Sequence, residues 1–178
     1  MKIAIIGYSG SGKSTLAEKL SNYYSIPKLH IDTLQFQPGW QDSDRDWMLN
    51  EMKSFLTKHE TSWVIDGNYS WCYYEERMRE ADQITFLNFS PWICLFQAFK
   101  RYLTHRGKVR ESMAAGCPER FDWEFIRWIL WDGRTKNAKE RYQRVLETYP
   151  EKVIVLRSQR EIDYFLETLA HNKKNQRV

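Results

Sequence analysis

Cysteine is scarce in this chain of 178 residues: Cys72, Cys94 and Cys117 are the only three, scattered and without a C-x-x-C pair. An odd number at such spacing excludes a disulfide framework, offers no zinc site, and suits thiols kept reduced in a cytoplasm. Long apolar runs are missing as well, so no membrane span is expected. A core-type strand starts right after Met1, so no signal peptide is expected. A large excess of one sign of charge is missing: 27 Lys and Arg against 23 Asp and Glu leave +4. That balance suits an anionic ligand but does not by itself make a nucleic-acid binder, and no helix-turn-helix or zinc-finger pattern is present. Repeats, low-complexity tracts and interdomain linkers are also lacking. The expectation is one cytoplasmic domain over residues 1–178, with no membrane partner and its oligomeric state open.

Aromatic residues are what the chain has in excess. Phe, Trp and Tyr make up 15% of it, with eight Trp and ten Tyr, in a composition (42% hydrophobic, 28% charged) otherwise ordinary for a soluble protein. Such rings either build a core on large side chains or add a stacking surface for a planar ligand.

The sharpest signal is Gly7-Tyr8-Ser9-Gly10-Ser11-Gly12-Lys13-Ser14, followed by Thr15. It fits G-x-x-x-x-G-K-[ST], the phosphate-binding loop. Ile3-Ala4-Ile5-Ile6 runs into it as a buried strand, and Leu16, Ala17, Leu20, Tyr23 and Tyr24 leave it at helical spacing. Glycines let backbone N–H groups curl around a phosphate, and a helix N-terminus adds a positive dipole end. Lys13 is placed to reach the β- and γ-phosphates of a nucleoside triphosphate, and the Ser14 hydroxyl to ligate Mg²⁺. Gly7, Ser9, Gly10, Ser11, Gly12, Lys13, Ser14 and Thr15 are therefore the nucleotide-binding candidates.

Four further strands are predicted. Lys28-Leu29-His30-Ile31 leads to Asp32, which reads as a holder of magnesium's waters, as the base on a substrate hydroxyl, or as a turn or capping Asp. Leu34 to Trp40 is expected to be irregular, with aromatic Phe36 and Trp40 at a pocket. A helix starting near Ser43, Asp44 and Asp46 carries Trp47, Met48, Met52, Phe55 and Leu56 on its apolar face. Trp63-Val64-Ile65 ends at Asp66-Gly67-Asn68-Tyr69, where Asp66 is either a Walker-B-type partner of Mg²⁺ or part of an ordinary Asp-Gly turn. Arg77 is a candidate ligand of a substrate phosphate, with Arg79 beside it. Ile84 to Leu87 forms the fourth strand. Ser90-Pro91 then caps a helix expected to turn Trp92, Leu95, Phe96, Phe99, Tyr102 and Leu103 inward.

The stretch that follows is the least core-like. It holds Arg101, Arg106, Lys108, Arg110, Gly116, Cys117, Pro118 and Arg120, and reads as a basic lid over about 106–121 or as a solvated loop. Asp122 opens more helix, where Trp123, Trp128 and Trp131 are assigned to packing and Arg127 and Arg134 are further candidates to face phosphates. Val153 to Leu156 is the fifth strand, a capping box at Ser158–Glu161 starts the last helix, and the tail from His171 reads as frayed. Strands alternating with helices predict a three-layer α/β fold of the P-loop NTPase type, its five-stranded parallel sheet having helices on both faces. The phosphate loop, Asp32 and Asp66 all follow strands and should meet at one end of it.

Together with the phosphate loop, Leu29-His30-Ile31-Asp32, Trp63 to Tyr69 and Gly116-Cys117-Pro118-Glu119-Arg120-Phe121 resemble the bacterial DNA topology modulation protein group over nearly the whole chain. That group is similar to adenylate kinase and shikimate kinase in its phosphate-loop core. The resemblance implies a sheet order of 2-3-1-4-5, substrate-binding helices after the second strand and a lid after the fourth. It also implies ATP and Mg²⁺ as cofactors, and a small-molecule acceptor for the γ-phosphoryl group. Asp66-Gly67 matches the start of adenylate kinase's Asp-Gly-aromatic-Pro-Arg block, from which Asn68 and Tyr69 depart. Asp32 matches the first Asp of shikimate kinase's Asp-x-Asp, with Leu34 in place of the second. The expected function is kinase chemistry on a nucleoside or nucleotide. Lys13, Asp32, Asp66, Arg106, Arg110 and Arg120 would carry catalysis, Ser14 and Asp66 the metal, and Asp32, Phe36, Trp40, Gly67, Asn68, Tyr69 and Arg77 the substrate. The alternative is a DNA-associated regulatory NTPase without a small acceptor, to which the basic lid and the group's label belong.

Overall fold

A computed structural model describes residues 1–175, with side chains to residue 172. Its centre is strand β1 (Lys2–Gly7), where Ile3, Ala4, Ile5 and Ile6 are all fully buried. A strand covered on both faces needs a continuous apolar run, and each buried Ile contributes roughly 1.5–3 kcal/mol. Parallel strands flank it: β5 (Trp63–Asp66) and then β2 (Lys28–His30) on one side, β6 (Gln83–Leu87) and then β7 (Val153–Leu156) on the other. The order β2-β5-β1-β6-β7 is 2-3-1-4-5 when only the sheet's own strands are counted, as expected, and helices cover both faces.

Helix α1 (Lys13–Tyr24) follows the phosphate loop. The expected irregular stretch after β2 is instead ordered: a helical turn, α2 (Asp32–Gln35), then an antiparallel hairpin of β3 (Phe36–Gln37) and β4 (Gln41–Asp42). The turn that joins these two short strands puts Gly39 and Trp40 at positive φ. Asp44 caps α3 (Arg45–Lys58) by accepting from the Trp47 N–H. Met48 and Met52 bury its inner face while Trp47 stays exposed, against expectation. Helix α4 (Tyr74–Glu80) leads to β6, and Ser90 with Pro91 starts α5 (Pro91–His105) as expected.

Helix α5 is turned about its axis relative to the sequence reading. Cys94 and Ala98 face the core, and Trp92, Phe96, Phe99 and Leu103 face out. The cause is close packing on the phosphate loop: Gly10, at φ +80°, lies so near that a Cβ there would be 2.5 Å from the Cys94 carbonyl oxygen. Only small inner side chains allow that approach.

Asp122 caps α6 (Trp123–Leu130), and a 3₁₀ turn (Asp132–Arg134) joins it to α7 (Lys136–Thr148). Trp123, Trp128 and Trp131 are exposed and do not pack in the core as expected. Ser158 accepts from the Glu161 N–H at the start of α8 (Gln159–Asn175). The tail is helical from His171 to Asn175; the rest of that expectation lies outside the described residues. No described helix is long and apolar enough to cross a membrane.

Candidate functional site

A cleft of about 1570 Å³ opens at the C-terminal ends of β1, β2 and β5. Ser9, Gly10, Gly12, Lys13, Ser14 and Thr15 line it, as do Asp32, Phe36, Trp40, Gly67, Asn68, Tyr69, Arg110 and Arg120. Most residues singled out from sequence thus converge there. Gly7, Ser11, Asp66, Arg77 and Arg106 do not, Asp66 lying just behind Ser14.

The loop is shaped by internal contacts. The Ser11 N–H donates to the Tyr8 carbonyl at 3.2 Å, and Lys13 Nζ folds back to the same oxygen at 3.0 Å. Tyr8 is buried between Phe86, Tyr142 and the Arg134 guanidinium, which lies 3.7 Å from the ring centroid. Arg134 also donates to the Ile129 and Phe89 carbonyls, so it buttresses the loop and does not face phosphates. Arg127 pairs with Asp132 at 2.7 Å. From α6, Trp128 Nε1 donates to Ser9 Oγ at 3.0 Å.

Asp66, 4% exposed, is the junction between strands. Its Oδ2 accepts from Ser14 Oγ at 2.8 Å, and its Oδ1 lies 2.5 Å from His30 Nδ1, the ring donating. The β2–β5 register places His30 opposite Asp66, so this contact follows from strand pairing. One turn on, Asp32 Oδ1 accepts from the Tyr69 hydroxyl at 2.8 Å. Burial raises the Asp32 pKa and Asp66 adds to the rise; Tyr69, Lys13 and Arg110 pull the other way without cancelling it. Burial likewise lowers the Lys13 pKa, against the pull of Asp32 and Asp66. Lys13, Asp32 and Asp66 thus form one coupled set at the cleft floor.

Of the residues after Asp66, Asn68 lines the cleft and also braces the loop, and Arg77 corrects an expectation. Asn68 Oδ1 accepts from the Gly7 N–H at 3.1 Å and its Nδ2 donates to the Gly7 carbonyl, so its carboxamide stitches the loop's root to β5. Gly7 itself is buried and its amide is engaged. Arg77, expected at a substrate, is fully buried and directs its guanidinium to the Gly67 and Tyr69 carbonyls at 3.3 and 3.5 Å. Burial lowers its pKa to about 10, still charged at neutral pH. Both side chains support the Asp-Gly-Asn-Tyr turn from beneath. Arg79 is exposed.

The segment between α5 and α6 lies on the β3–β4 hairpin. The Gly39 N–H donates to the Gly116 carbonyl at 3.0 Å, Trp40 Nε1 to the Pro118 carbonyl at 3.2 Å, and Cys117 Sγ to the Gln37 carbonyl at 3.1 Å. A Cβ on Gly116, at φ +75°, would meet the Pro38 ring at 2.8 Å. The arginines are not equivalent. Arg106 is exposed and lies over the Tyr102 ring, outside the cleft, which corrects its expected place at the reacting phosphates. Arg120 covers the Trp40 ring at 4.6 Å, and Trp40 meets Phe36 edge-on at 5.2 Å. Arg110 and Arg101 share buried Glu119: Arg101 Nε donates to its Oε2 at 2.8 Å and Arg110 Nε to its Oε1. Gripping both at Nε leaves the outer guanidinium edge of Arg101 without a protein partner among the described residues.

His30, Arg101 and Glu119 are site residues the sequence reading passed over. His30 and Glu119 lie inside the blocks that carry the family resemblance, and Arg101 was counted only as part of the basic stretch. Their pairing across elements had no local signal.

For a magnesium–nucleotide, the residues present fit. Ser14 and Asp66 supply hard oxygen donors beside the loop. No cluster of three or more His, Cys, Asp or Glu able to hold a metal occurs among the described residues. Ser11 Oγ, fully buried in the loop, has no hydrogen-bond partner among the described residues.

No protein-family model matches the chain, and no curated protein sequence matches it. Many solved structures are similar to it, two kinases among them. One is a shikimate kinase from Bacteroides thetaiotaomicron, 16% identical, with 98% of each chain covered and a TM-score of 0.43. The other is a gluconokinase from Sinorhizobium meliloti, 17% identical, with 98% of this chain and 96% of that one covered and a TM-score of 0.48.

Proposed function

We propose that the protein is an ATP-dependent phosphotransferase that moves the γ-phosphoryl group of Mg²⁺·ATP to a hydroxyl of a small acceptor, a nucleoside or nucleotide. The observation that carries this reading is the Ser14–Asp66 hydrogen bond at the start of α1, with Asp32, in the helical turn that follows the neighbouring strand β2, lining the cleft beside it. It combines a cation-binding pair, a phosphate cradle and a separate carboxylate for the nucleophile.

Loop amides and Lys13 hold the phosphates, Lys13 exchanging the Tyr8 carbonyl for a phosphoryl oxygen. Ser14 and Asp66 would hold a magnesium ion, whose charge would offset that of the phosphates when bound. Asp32 accepts the proton of the acceptor hydroxyl as that oxygen bonds to the γ-phosphorus and the bond to ADP breaks. Its raised pKa brings it closer to neutrality, where a general base is more effective. Tyr69 fixes the carboxylate's orientation through its hydroxyl. Phe36, Trp40 and Tyr69 form the aromatic wall on which a base stacks. Arg110, Arg120 and Arg101 face the charge that develops on the moving group, within one domain whose segment 106–121 acts as the lid.

The test is ADP release from Mg²⁺·ATP across nucleosides, nucleotides and small alcohols, with Lys13→Ala as control. A nucleoside or nucleotide should raise ADP formation well above the rate without acceptor, and Lys13→Ala should abolish the increase. Equal rates with and without every acceptor, or unchanged turnover in Lys13→Ala, would refute the proposal.

A further inference from the structure

Helix α5 carries its largest side chains on the side away from the core. Trp92, Phe96, Phe99 and Leu103 follow at steps of four, three and four residues, a stripe within about 60° of the helix circumference. They are 70%, 67%, 43% and 59% exposed, while Cys94 and Ala98 on the opposite face are buried. The small inner face is explained by the approach of Gly10. That approach puts no demand on the outer face, and a solvated face has no use for two Phe and a Trp.

The 4-3-4 spacing is that of a knobs-into-holes seam between helices. Helix α6 packs on α5 and adds Trp123, Trp128 and Trp131, at 68%, 49% and 57% exposure. At about 200 Å² per large side chain, these seven residues leave roughly 800 Å² of largely apolar surface uncovered. The largest patch on a typical monomer is about 300–600 Å², and a stable interface takes about 800 Å² from each partner. A ligand in the cleft would reach Phe96 and Trp128, which line it, but not Trp92, Phe99, Leu103, Trp123 and Trp131, which lie outside the cleft lining.

We propose that this face is a two-fold interface with a second copy of the chain, α5 lying antiparallel against α5. The stripe is symmetric about a point between Phe96 and Phe99. A two-fold axis there sets Phe96 against Phe99 and Trp92 against Leu103 of the second copy, so one surface is its own complement. Gln97, Lys100 and Thr104 lie to one side of the stripe and line the cleft together with Phe96, so the seam runs along the cleft's rim.

Sedimentation velocity of the full chain between about 1 and 100 μM tests this. The parent should sediment at twice its 21.5 kDa mass. Phe99→Glu should weaken association on the order of 100-fold, the loss expected at the centre of an interface. Its circular dichroism should match that of the separated parent chain, and its melting temperature should fall only by what the loss of the Phe99–Phe121 ring contact costs within one copy. Mixing Phe99→Glu with Phe96→Lys should restore a mixed dimer, because the antiparallel register puts those positions opposite each other. A parent that is monomeric at 100 μM, or a dimer indifferent to Phe99→Glu, would overturn the proposal. A monomer that floats with vesicles of anionic phospholipid would assign the face to a membrane surface instead. Dissociation by Phe99→Glu without rescue by Phe96→Lys would overturn the antiparallel pairing.

Discussion

Asp32→Asn separates a carboxylate held for chemistry from one held for structure. Burial and the neighbouring Asp66 push the Asp32 pKa up further than Tyr69, Lys13 and Arg110 pull it down. A carboxyl with a raised folded-state pKa binds its proton more tightly in the folded chain than in the unfolded one. Stability then falls as pH rises from the unfolded value of about 3.9 through the raised folded value, and stays lower above it. Asparagine removes the charge, keeps the shape, and retains an oxygen to accept the Tyr69 hydroxyl now at 2.8 Å. Asp32→Asn should therefore stabilise the protein at pH 7 to 8 by about 1 kcal/mol, a common gain when a functional site is relieved. For a chain of this size that is about 2–4 °C in Tm. The gain should shrink as pH is lowered towards 4 and disappear once the parent carboxyl is protonated in both states. Thermal denaturation followed by circular dichroism from pH 4 to 8 measures it. A Tm at pH 8 no higher than the parent's, or a gain that persists unchanged at pH 4, would refute the reasoning. In the kinase reading the same variant binds Mg²⁺·ATP close to normally and loses about 10²- to 10⁴-fold in transfer.

Asp66→Asn should weaken Mg²⁺·ATP binding whether or not an acceptor is present, because an amide is a poorer partner than a carboxylate for a hydrated dication. Titration calorimetry with Mg²⁺·ATP checks this, and unchanged affinity would remove Asp66 from the metal site. Arg77→Ala should cost about 3 kcal/mol, since it opens a cavity and strips the Gly67 and Tyr69 carbonyls of their donor. Arg79→Ala, on the exposed face, should stay within about 0.5 kcal/mol. Denaturant unfolding of both compares them, and an Arg77→Ala protein of parental stability would return Arg77 to the substrate-ligand role expected from sequence.

The parts legible in the sequence are those set by local or strictly periodic rules. Four of the five sheet strands are largely apolar runs because both faces of a parallel sheet are covered, the edge strand β2 (Lys28–His30) being the exception, and helix starts at Asp44, Ser90, Asp122 and Ser158 are chemical caps that act within three residues. The phosphate loop is legible because its glycine spacing is a backbone requirement. The site's pairings are long-range: Ser14 meets Asp66 across 52 residues, Tyr69 meets Asp32 across 37, and Glu119 meets Arg101 across 18. The strand-end rule foresaw that Asp32 and Asp66 would face one crevice. It had no means of showing that His30 would hold Asp66, or that Asn68 would turn back to Gly7.

Arginines misled for a related reason. From sequence, a basic side chain near a phosphate loop is an anion ligand by default, yet Arg77 and Arg134 serve backbone carbonyls. Turns and helix ends leave carbonyls unpaired, and a buried carbonyl needs a donor as much as a phosphate does. A guanidinium can satisfy several of them at once. Helix α5 shows the same competition acting on apolar residues. Its pattern has two apolar faces, and periodicity alone assigns the larger side chains to the core. The close approach of Gly10 reverses that choice, because a helix lying against a phosphate-loop backbone can present only residues such as Cys94 and Ala98 to it. The packing demand of the phosphate loop thus moves four large side chains to the surface. A chain that keeps Trp and Phe where solvent would tolerate Lys and Glu has a reason on the outside of the molecule, and a second copy of the same stripe supplies one.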